Sequence, residues 1–269
     1  PASLARRHAV AGYITQLVKG ALAGAKFARE GGLGEVLVVP FGSVPLRTYL
    51  PDGDNDLAVF FRKDAPMRQA VSCVVEALQQ VQQGDTPSVF PVQDVFLVNA
   101  EVVVVKCVVD QLMFDLSFNT MSGLRTLTFL EELDQTVGRD HFVKRSIVLV
   151  KAWCYYEGRL LGAHHGLIST YALETMVLFI VNSRPLEAST PLGVLRLVLR
   201  LYAEWRWDLE GVSIRGPVPL EKRPGADGEG QQAGEQAGQQ GEEGADKGDG
   251  GDEGGGQGRG GEQGCGGKG

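Results

Sequence analysis

The sequence predicts an α+β fold with a small mixed β-sheet lobe, an all-helical second lobe and a disordered C-terminal tail. Short apolar runs rich in β-branched residues, which are typical of strands, occur up to residue 118. Apolar residues at helical spacing then continue to residue 207. From residue 216 onward glycine dominates and apolar side chains almost vanish. A cleft between the two lobes is the expected place for a ligand.

The chain up to residue 118 is predicted to contain two helices and five strands. Apolar residues recur at helical spacing over 3–28, and "GGLG" at 31–34 ends that helix. A second helix is expected at 66–83, because valine and leucine again recur at helical spacing. The short apolar runs predict strands over 35–41, 56–61, 91–98, 101–109 and 112–118.

Four apolar patterns predict the helices of the second lobe: "LRTLTFLEELDQTV", "FVKRSIVLVKAWCYYE", "LISTYALETMVLFIVN" and "LGVLRLVLRLYAEW". We therefore expect an N-terminal helix over 1–30 that packs on the helical lobe. The sheet lobe is expected over 31–120, the helical lobe over 121–215 and the disordered tail over 216–269.

The predicted tail carries most of the net charge of the chain. Its 54 residues hold 21 of the 37 glycines and six more acidic than basic side chains, while the whole chain has a net charge of -7. Too few apolar side chains occur there to offset the entropy lost on ordering. The remaining body is nearly neutral, so bulk charge does not argue for a nucleic-acid partner.

Cysteine spacing and hydropathy bear on the compartment. The four cysteines show no paired spacing, which indicates buried or free thiols in a reducing compartment. No apolar run reaches transmembrane length and no secretory signal is visible. We therefore expect a cytoplasmic or nuclear protein without a membrane partner.

The stretch "PDGDNDL" invites comparison with a calcium loop. Asp52, Asp54 and Asp56 stand at positions 1, 3 and 5 of a possible EF-hand. That loop needs glycine at position 6 and glutamate at position 12, but this chain has Leu57 and Lys63 there. Strands rather than helices also flank the stretch, and we reject the EF-hand.

Three aspartates predict a site for divalent cations. Asp54 and Asp56 are two residues apart, so on a strand they point to the same face, and Asp115 of "FDLSF" can join them. Close carboxylates repel one another unless hard cations bind between them. Gly42 and Ser43 form a turn at which a triphosphate can approach the backbone closely. This combination is suited to phosphoryl transfer with two Mg²⁺ ions.

The order of these motifs resembles the DNA polymerase β-like nucleotidyltransferase superfamily. "FGSVPLRTYLPDGDNDL", "FDLSFN", "KRSIVLVKAWCYYE" and "GAHHGLISTYALETMVLFIV" are similar to its noncanonical poly(A) polymerase and terminal uridylyltransferase branch, plant and algal type. The resemblance covers residues 5 to about 219 and implies a nucleotidyltransferase lobe followed by a PAP/OAS1 substrate-binding domain. It also implies transfer of AMP or UMP from a nucleoside triphosphate to an RNA 3′ end, with Mg²⁺ or Mn²⁺.

The resemblance implies roles for single residues. Asp54, Asp56 and Asp115 are implied as metal ligands, and Asp115 also as the acceptor of the primer 3′-hydroxyl proton. Gly42 and Ser43 resemble the phosphate-binding turn. The implied nucleotide contacts are Asn119 and, as a weaker candidate, Thr126 near the sugar, Lys151, Ser169 and Thr170 at the triphosphate, and Tyr171 on the base.

Three departures from the family pattern matter. Asn55 replaces an apolar residue between two aspartates, so it should face the core and require hydrogen-bond partners. Tyr155 stands where some relatives have a second lysine, which implies weaker triphosphate binding. The family continues past "SIRGPVPL" with more helices, so the helical lobe is expected to be incomplete.

Other interpretations stay open. The same fold without turnover would act as a scaffold for RNA or protein, and the same chemistry could use a small molecule or a protein side chain as acceptor. Ser169 and Thr170 are also good residues for a helix start, and Tyr171 also suits an apolar core. A zinc site at His164–His165 lacks a supporting cluster of cysteine or histidine.

Overall fold

The structure, a computed structural model, describes residues 3–25, 32–62, 65–99 and 102–220. These residues belong to one compact unit, Pro1–Leu220. Most of the tail predicted over 216–269 lies outside the described residues. No helix in the described parts is long and apolar enough to cross a membrane.

The chain begins with the elements of the sheet lobe, which agree closely with the predicted ones. The helices are α1 (Leu4–Gly24), the short α2 (Ser43–Leu46) and α3 (Met67–Gln83). The strands are β1 (Leu37–Phe41), β2 (Asn55–Phe60), β3 (Val92–Asn99), β4 (Val103–Val109) and β5 (Leu112–Phe118).

The five strands form one mixed sheet in the order β1-β2-β5-β4-β3. The β2–β5 pair is parallel and the other pairs are antiparallel. In this register Asp56 of β2 lies beside Asp115 of β5, and Asp115 lies beside Lys106 of β4. Two of the predicted aspartates and a lysine therefore lie on three adjacent strands.

Helix α1 packs on the sheet lobe, and the prediction that it packs on the helical lobe is wrong. Val10, Ile14, Val18 and Leu22 are fully buried in one cluster with residues of α3 and the sheet. Their spacing of four residues puts them on one face of the helix. An apolar face of a sheet must be covered by another element, and α1 and α3 together cover such a face here.

The helical lobe follows the sheet. Its elements are α4 (Ser122–Val137), α5 (Phe142–Ala152), a π-turn (Trp153–Glu157), a 3₁₀ turn (Ala163–His165), α6 (Thr170–Ser183) and α7 (Pro191–Ala203). These helices share a second apolar core, which also takes in Leu46 of α2. The four predicted helical patterns are therefore confirmed, and each lobe has its own core.

A hairpin closes the described chain. Strands β6 (Glu210–Ser213) and β7 (Gly216–Pro219) pair antiparallel. The prediction that disorder begins at residue 216 is therefore wrong by a few residues, because backbone hydrogen bonds order "GPVP" although it contains two prolines.

Candidate functional site

The turn after β1 depends on Gly42. This residue precedes α2 and has φ 76°, a backbone conformation that residues with a side chain rarely adopt. A Cβ atom built on Gly42 would overlap the carboxylate of Asp56. The turn can therefore lie against that carboxylate only because residue 42 has no side chain.

A second turn, which leads into β2, holds the next part of the site. Gly53 N donates to Leu50 O at 2.9 Å, and Asp54 follows this turn while Asp56 lies in β2. Asn55 between them is buried, as predicted, and both ends of its amide are satisfied. Its Nδ2 donates to Met113 O at 2.9 Å, and its Oδ1 accepts from Arg7 Nη1 at 3.2 Å.

Asp115 is the third aspartate of the cluster, and its two carboxylate oxygens have different surroundings. Its Oδ2 forms an ion pair with the ammonium of Lys106 on the neighbouring strand. Its Oδ1 is buried and has no hydrogen-bond partner. A buried carboxylate oxygen without a partner is costly, so a proton or a cation bound at Oδ1 would relieve that cost.

The carboxylates interact electrostatically. Burial, and then the charges of Asp115 and Asp54, raise the pKa of Asp56 to about 7. Burial and then the charge of Asp115 also raise the pKa of Asp54, while Lys106, Lys151 and Arg7 act against the rise. A cation placed among the three carboxylates would relieve this repulsion.

The carboxylate oxygens are the right type of ligand for a divalent metal, although their present arrangement does not form a metal site. In the described parts of the chain, no group of three or more His, Cys, Asp or Glu side chains could hold a metal ion as it stands. Lys106 forms an ion pair with one oxygen of Asp115. Hard carboxylate oxygens, one of them without a partner, are nevertheless the ligands that Mg²⁺ prefers.

A cavity of about 920 Å³ joins Asp54 and Asp56, but not Asp115, to the helical lobe. It is lined from the sheet side by the Gly42–Ser43 turn and by Asp54 and Asp56. The helical lobe brings the other predicted residues to the same cavity: Thr126, Lys151, Ser169, Thr170 and Tyr171.

Asn119 is placed elsewhere. It does not line this cavity. Its Oδ1 accepts from Phe61 N at 3.0 Å, and its own N–H donates to Val59 O at 2.9 Å. With φ 50°, Asn119 is the turn residue after β5. In this structure it connects the ends of β2 and β5, because its amide is used by the backbone of the neighbouring chain segment.

The start of α6 serves both the helix and the cavity. Ser169 is the N-cap, and its hydroxyl accepts from Ala172 N at 3.1 Å. Thr170 and Tyr171 follow in the first turn, and Tyr171 is 60 % exposed, so it is not a core residue. The aromatic ring is therefore accessible for stacking.

Glu174 was not predicted. It lines the cavity, is buried, and lies one helical turn after Tyr171. Burial raises its pKa to about 7, and the charge of Lys151 acts against that rise. Burial likewise lowers the pKa of Lys151, while Glu174, Asp56 and Asp54 support its charge. Glu174 is three residues from Tyr171, so the two lie on the same face of the helix. That spacing was the only signal in the sequence that Glu174 belongs to the site.

Lys106 and Tyr156 were also missed. Lys106 interrupts the apolar run "VVVVKCVV", and that interruption was a usable signal for a strand lysine facing a carboxylate. Tyr156 belongs to the π-turn, and its hydroxyl donates to Asp52 Oδ1 at 2.8 Å across the cleft. Tyr155 lines the cavity and lies edge-on to Tyr156.

Comparisons with known proteins bear on this arrangement. Residues 137–238 match the family model described as the PAP/OAS1 substrate-binding domain. No curated protein matches the sequence.

Several solved structures share the fold. Cid1 poly(U) polymerase with MgGTP bound has 16 % identity and a TM-score of 0.63, over 80 % of this chain and 74 % of that chain. A cytoplasmic RNA terminal U-transferase has 18 % identity and a TM-score of 0.57, over 79 % and 69 %. The GLD-2/RNP-8 complex has 16 % identity and a TM-score of 0.56, over 81 % and 84 %.

Proposed function

We propose that this chain, which has the fold of noncanonical poly(A) polymerases and terminal uridylyltransferases and carries a match to the PAP/OAS1 substrate-binding domain, is a template-independent RNA nucleotidyltransferase. It adds AMP or UMP from a nucleoside triphosphate to an RNA 3′ end. One observation carries this proposal. The Gly42–Ser43 turn and two of the clustered carboxylates share a cavity with Lys151 and the start of α6. The plant and algal type of the resemblance stays a prediction.

The residues of the cavity divide the work of binding. The Gly42–Ser43 turn and Lys151 approach the triphosphate from opposite walls, and the hydroxyls of Ser169 and Thr170 add hydrogen bonds. The exposed ring of Tyr171 stacks on the incoming base. Stacking selects poorly among bases because every base has a π-face, so this contact alone does not decide between ATP and UTP.

The reaction itself exchanges one bond to phosphorus for another. The 3′-oxygen of the RNA forms a bond to the α-phosphorus, the bond from that phosphorus to the bridging oxygen breaks, and pyrophosphate leaves. The proton of the 3′-hydroxyl passes to Asp115, whose Oδ1 has no other partner. Asp54, Asp56 and Asp115 would hold Mg²⁺ or Mn²⁺, which when bound activates the attacking oxygen and neutralises the leaving group.

Primer extension tests this proposal. The full chain is incubated with a labelled short RNA, Mg²⁺ or Mn²⁺, and each nucleoside triphosphate separately. We expect extension by the wild type and a loss of at least about 100-fold in Asp54→Asn, because charge stabilisation at a reacting phosphate is a large term. The matched control is Asp208→Asn, an exposed aspartate in the turn before β6. Extension unchanged in Asp54→Asn would contradict the assignment.

A scaffold without turnover is the second candidate. The ion pair between Lys106 and Asp115 favours it, because the lysine occupies an oxygen that a metal would need. In that case the folded wild type would neither bind Mn²⁺ nor extend RNA, while RNA or protein binding would be equal in the wild type and Asp54→Asn. Primer extension by the wild type that is lost in Asp54→Asn would exclude the scaffold.

A further inference from the structure

Arg7 of α1 is buried beneath the turn that carries the aspartates. Its side chain is only 1 % exposed, although arginine is seldom buried. Nη1 donates to Gly53 O at 2.7 Å and to Asn55 Oδ1 at 3.2 Å. Nη2 donates to Pro51 O at 2.8 Å, and the guanidinium lies 4.8 Å from the centre of the Tyr49 ring.

These contacts span one short segment. The three acceptors belong to residues 51, 53 and 55, so the planar guanidinium bonds to every second residue of the turn. Asp54 lies within that segment and Asp56 follows it directly. Any shift of the turn relative to α1 must break these hydrogen bonds.

The surroundings of Arg7 are unusual for a buried cation. The oxygens that accept from it are two backbone carbonyls and an amide, and no carboxylate forms an ion pair with it among the described residues. A buried charge without an ion-pair partner is costly. Its field instead reaches the site, where it opposes the rise in the pKa of Asp54 that burial causes.

We propose that Arg7 is a positioning residue that holds the Pro51–Asn55 turn in the geometry in which Asp54 and Asp56 act. The inference rests on the proposed function, and it extends the site to the N-terminal helix. Asn55 is the counterpart of Arg7 in the turn, since its Oδ1 accepts from Arg7 while its Nδ2 ties the same residue to β5 at Met113 O.

The neighbouring Arg6 offers a matched control. It lies on the same helix but is exposed, and its Nε and Nη2 donate to Asp110 Oδ2 at 2.7 Å and to Asp110 O at 2.8 Å. Arg6→Met and Arg7→Met therefore remove the same charge and the same number of atoms from one helix. Only Arg7→Met removes contacts to the turn.

Three measurements on the full chain test the proposal. Hydrogen exchange follows the segment 49–57, Mn²⁺ binding is measured by the loss of the free-ion signal in electron paramagnetic resonance, and primer extension gives kcat and KM. In Arg7→Met we expect faster exchange confined to that segment. Mn²⁺ affinity and kcat should fall by about 10- to 100-fold, as when a residue that orients metal ligands is removed. KM for the nucleotide should change little.

The outcomes separate positioning from bulk stability. Arg6→Met should match the wild type in all three measurements, and Arg7→Lys should recover part of the loss because lysine keeps the charge and a donor. Exchange that is unchanged at 49–57, or faster throughout the sheet lobe, would overturn the proposal. So would Mn²⁺ affinity equal to that of the wild type. Should Arg7→Met fail to fold, Arg7→Lys is compared with Arg6→Lys in the same way.

The proposed function can fail on its own. A wild type that neither binds Mn²⁺ nor extends RNA would contradict the nucleotidyltransferase. Hydrogen exchange at 49–57 would then still decide whether Arg7 orders the turn, because that measurement needs neither metal nor substrate.

Discussion

Gly42 combines two constraints at one residue: a positive φ and close contact with the Asp56 carboxylate. Gly42→Ala should therefore destabilise the fold by about 1–3 kcal/mol. It should also lower primer extension by at least about 100-fold, because the new methyl group displaces a carboxylate whose placement matters to chemistry. Thermal unfolding and extension rates measure the two effects.

Gly84 provides the control for this substitution. It ends α3 with φ 83°, and nothing lies within 4 Å of a Cβ built on it. Gly84→Ala should cost about 1 kcal/mol through the same backbone strain, with extension unchanged. Equal losses of activity in the two variants would contradict a specific role for the Gly42 contact.

Glu174 should make stability depend on pH. Burial raises its pKa from 4.5 to about 7 in the folded chain. Between these values the folded state retains a proton that the unfolded state releases, so this carboxyl lowers stability as pH rises from 4.5 to 7. Glu174→Gln cannot ionise and should be more stable than the wild type at pH 8, by at most about 3 kcal/mol.

Chemical denaturation at pH 4.5 and pH 8 measures this difference. The advantage of Glu174→Gln over the wild type should be larger at pH 8, and exposed Glu132 of α4 gives the control variant Glu132→Gln. A wild type and a Glu174→Gln variant with parallel pH profiles would refute the assignment of a raised pKa to Glu174.

At the scale of elements, the start of α6 separates capping from nucleotide binding. Ser169 caps the helix through Ala172 N, and it also lines the cavity. Ser169→Ala should lose about 1 kcal/mol of stability with the cap. Ser169→Asp should keep the cap, because aspartate is a good N-cap at a positive helix end, yet it should weaken ATP and UTP binding about tenfold by charge repulsion.

Helix α7 supplies the control for the aspartate. Its N-cap Thr190 accepts from Gly193 N at 3.1 Å and does not line the cavity. Thr190→Asp should keep both stability and nucleotide affinity, measured by thermal unfolding and isothermal titration calorimetry. Nucleotide affinity that is equal in Ser169→Asp and the wild type would show that Ser169 only caps the helix.

At the scale of the whole molecule, the two apolar cores predict two regions of local stability. Ile14 is buried with the sheet, and Ile147 is buried among the helices. Each substitution to alanine should cost about 2–5 kcal/mol. Ile14→Ala should speed hydrogen exchange mainly in β2 and α3, and Ile147→Ala mainly in α6 and α7. Uniform acceleration over both lobes in either variant would instead indicate a single cooperative core.

Most elements were predictable because their signals are local. Periodicity and residue type at each position predicted the strand over 112–118 with the bounds that the structure has, and they predicted α3 to within one residue. The same local signals identified the Gly42–Ser43 turn and the aspartates. The side chains that were missed, such as Glu174 and Lys106, owe their role to contacts with residues that lie far from them along the chain.

By itself, the sequence determined which segments become helices or strands and which residue types could carry phosphoryl-transfer chemistry. Only the tertiary structure decided which side chains and backbone groups each of these residues contacts. Strand register put Lys106 beside Asp115, helix packing put Arg7 beneath the turn of Asp54, and Asn119 was drawn to the backbone of Phe61 rather than to the cavity. These pairs are separated along the chain by 9 to 58 residues. Local periodicity contains no term for such contacts, which arise only when the cores bury their apolar faces.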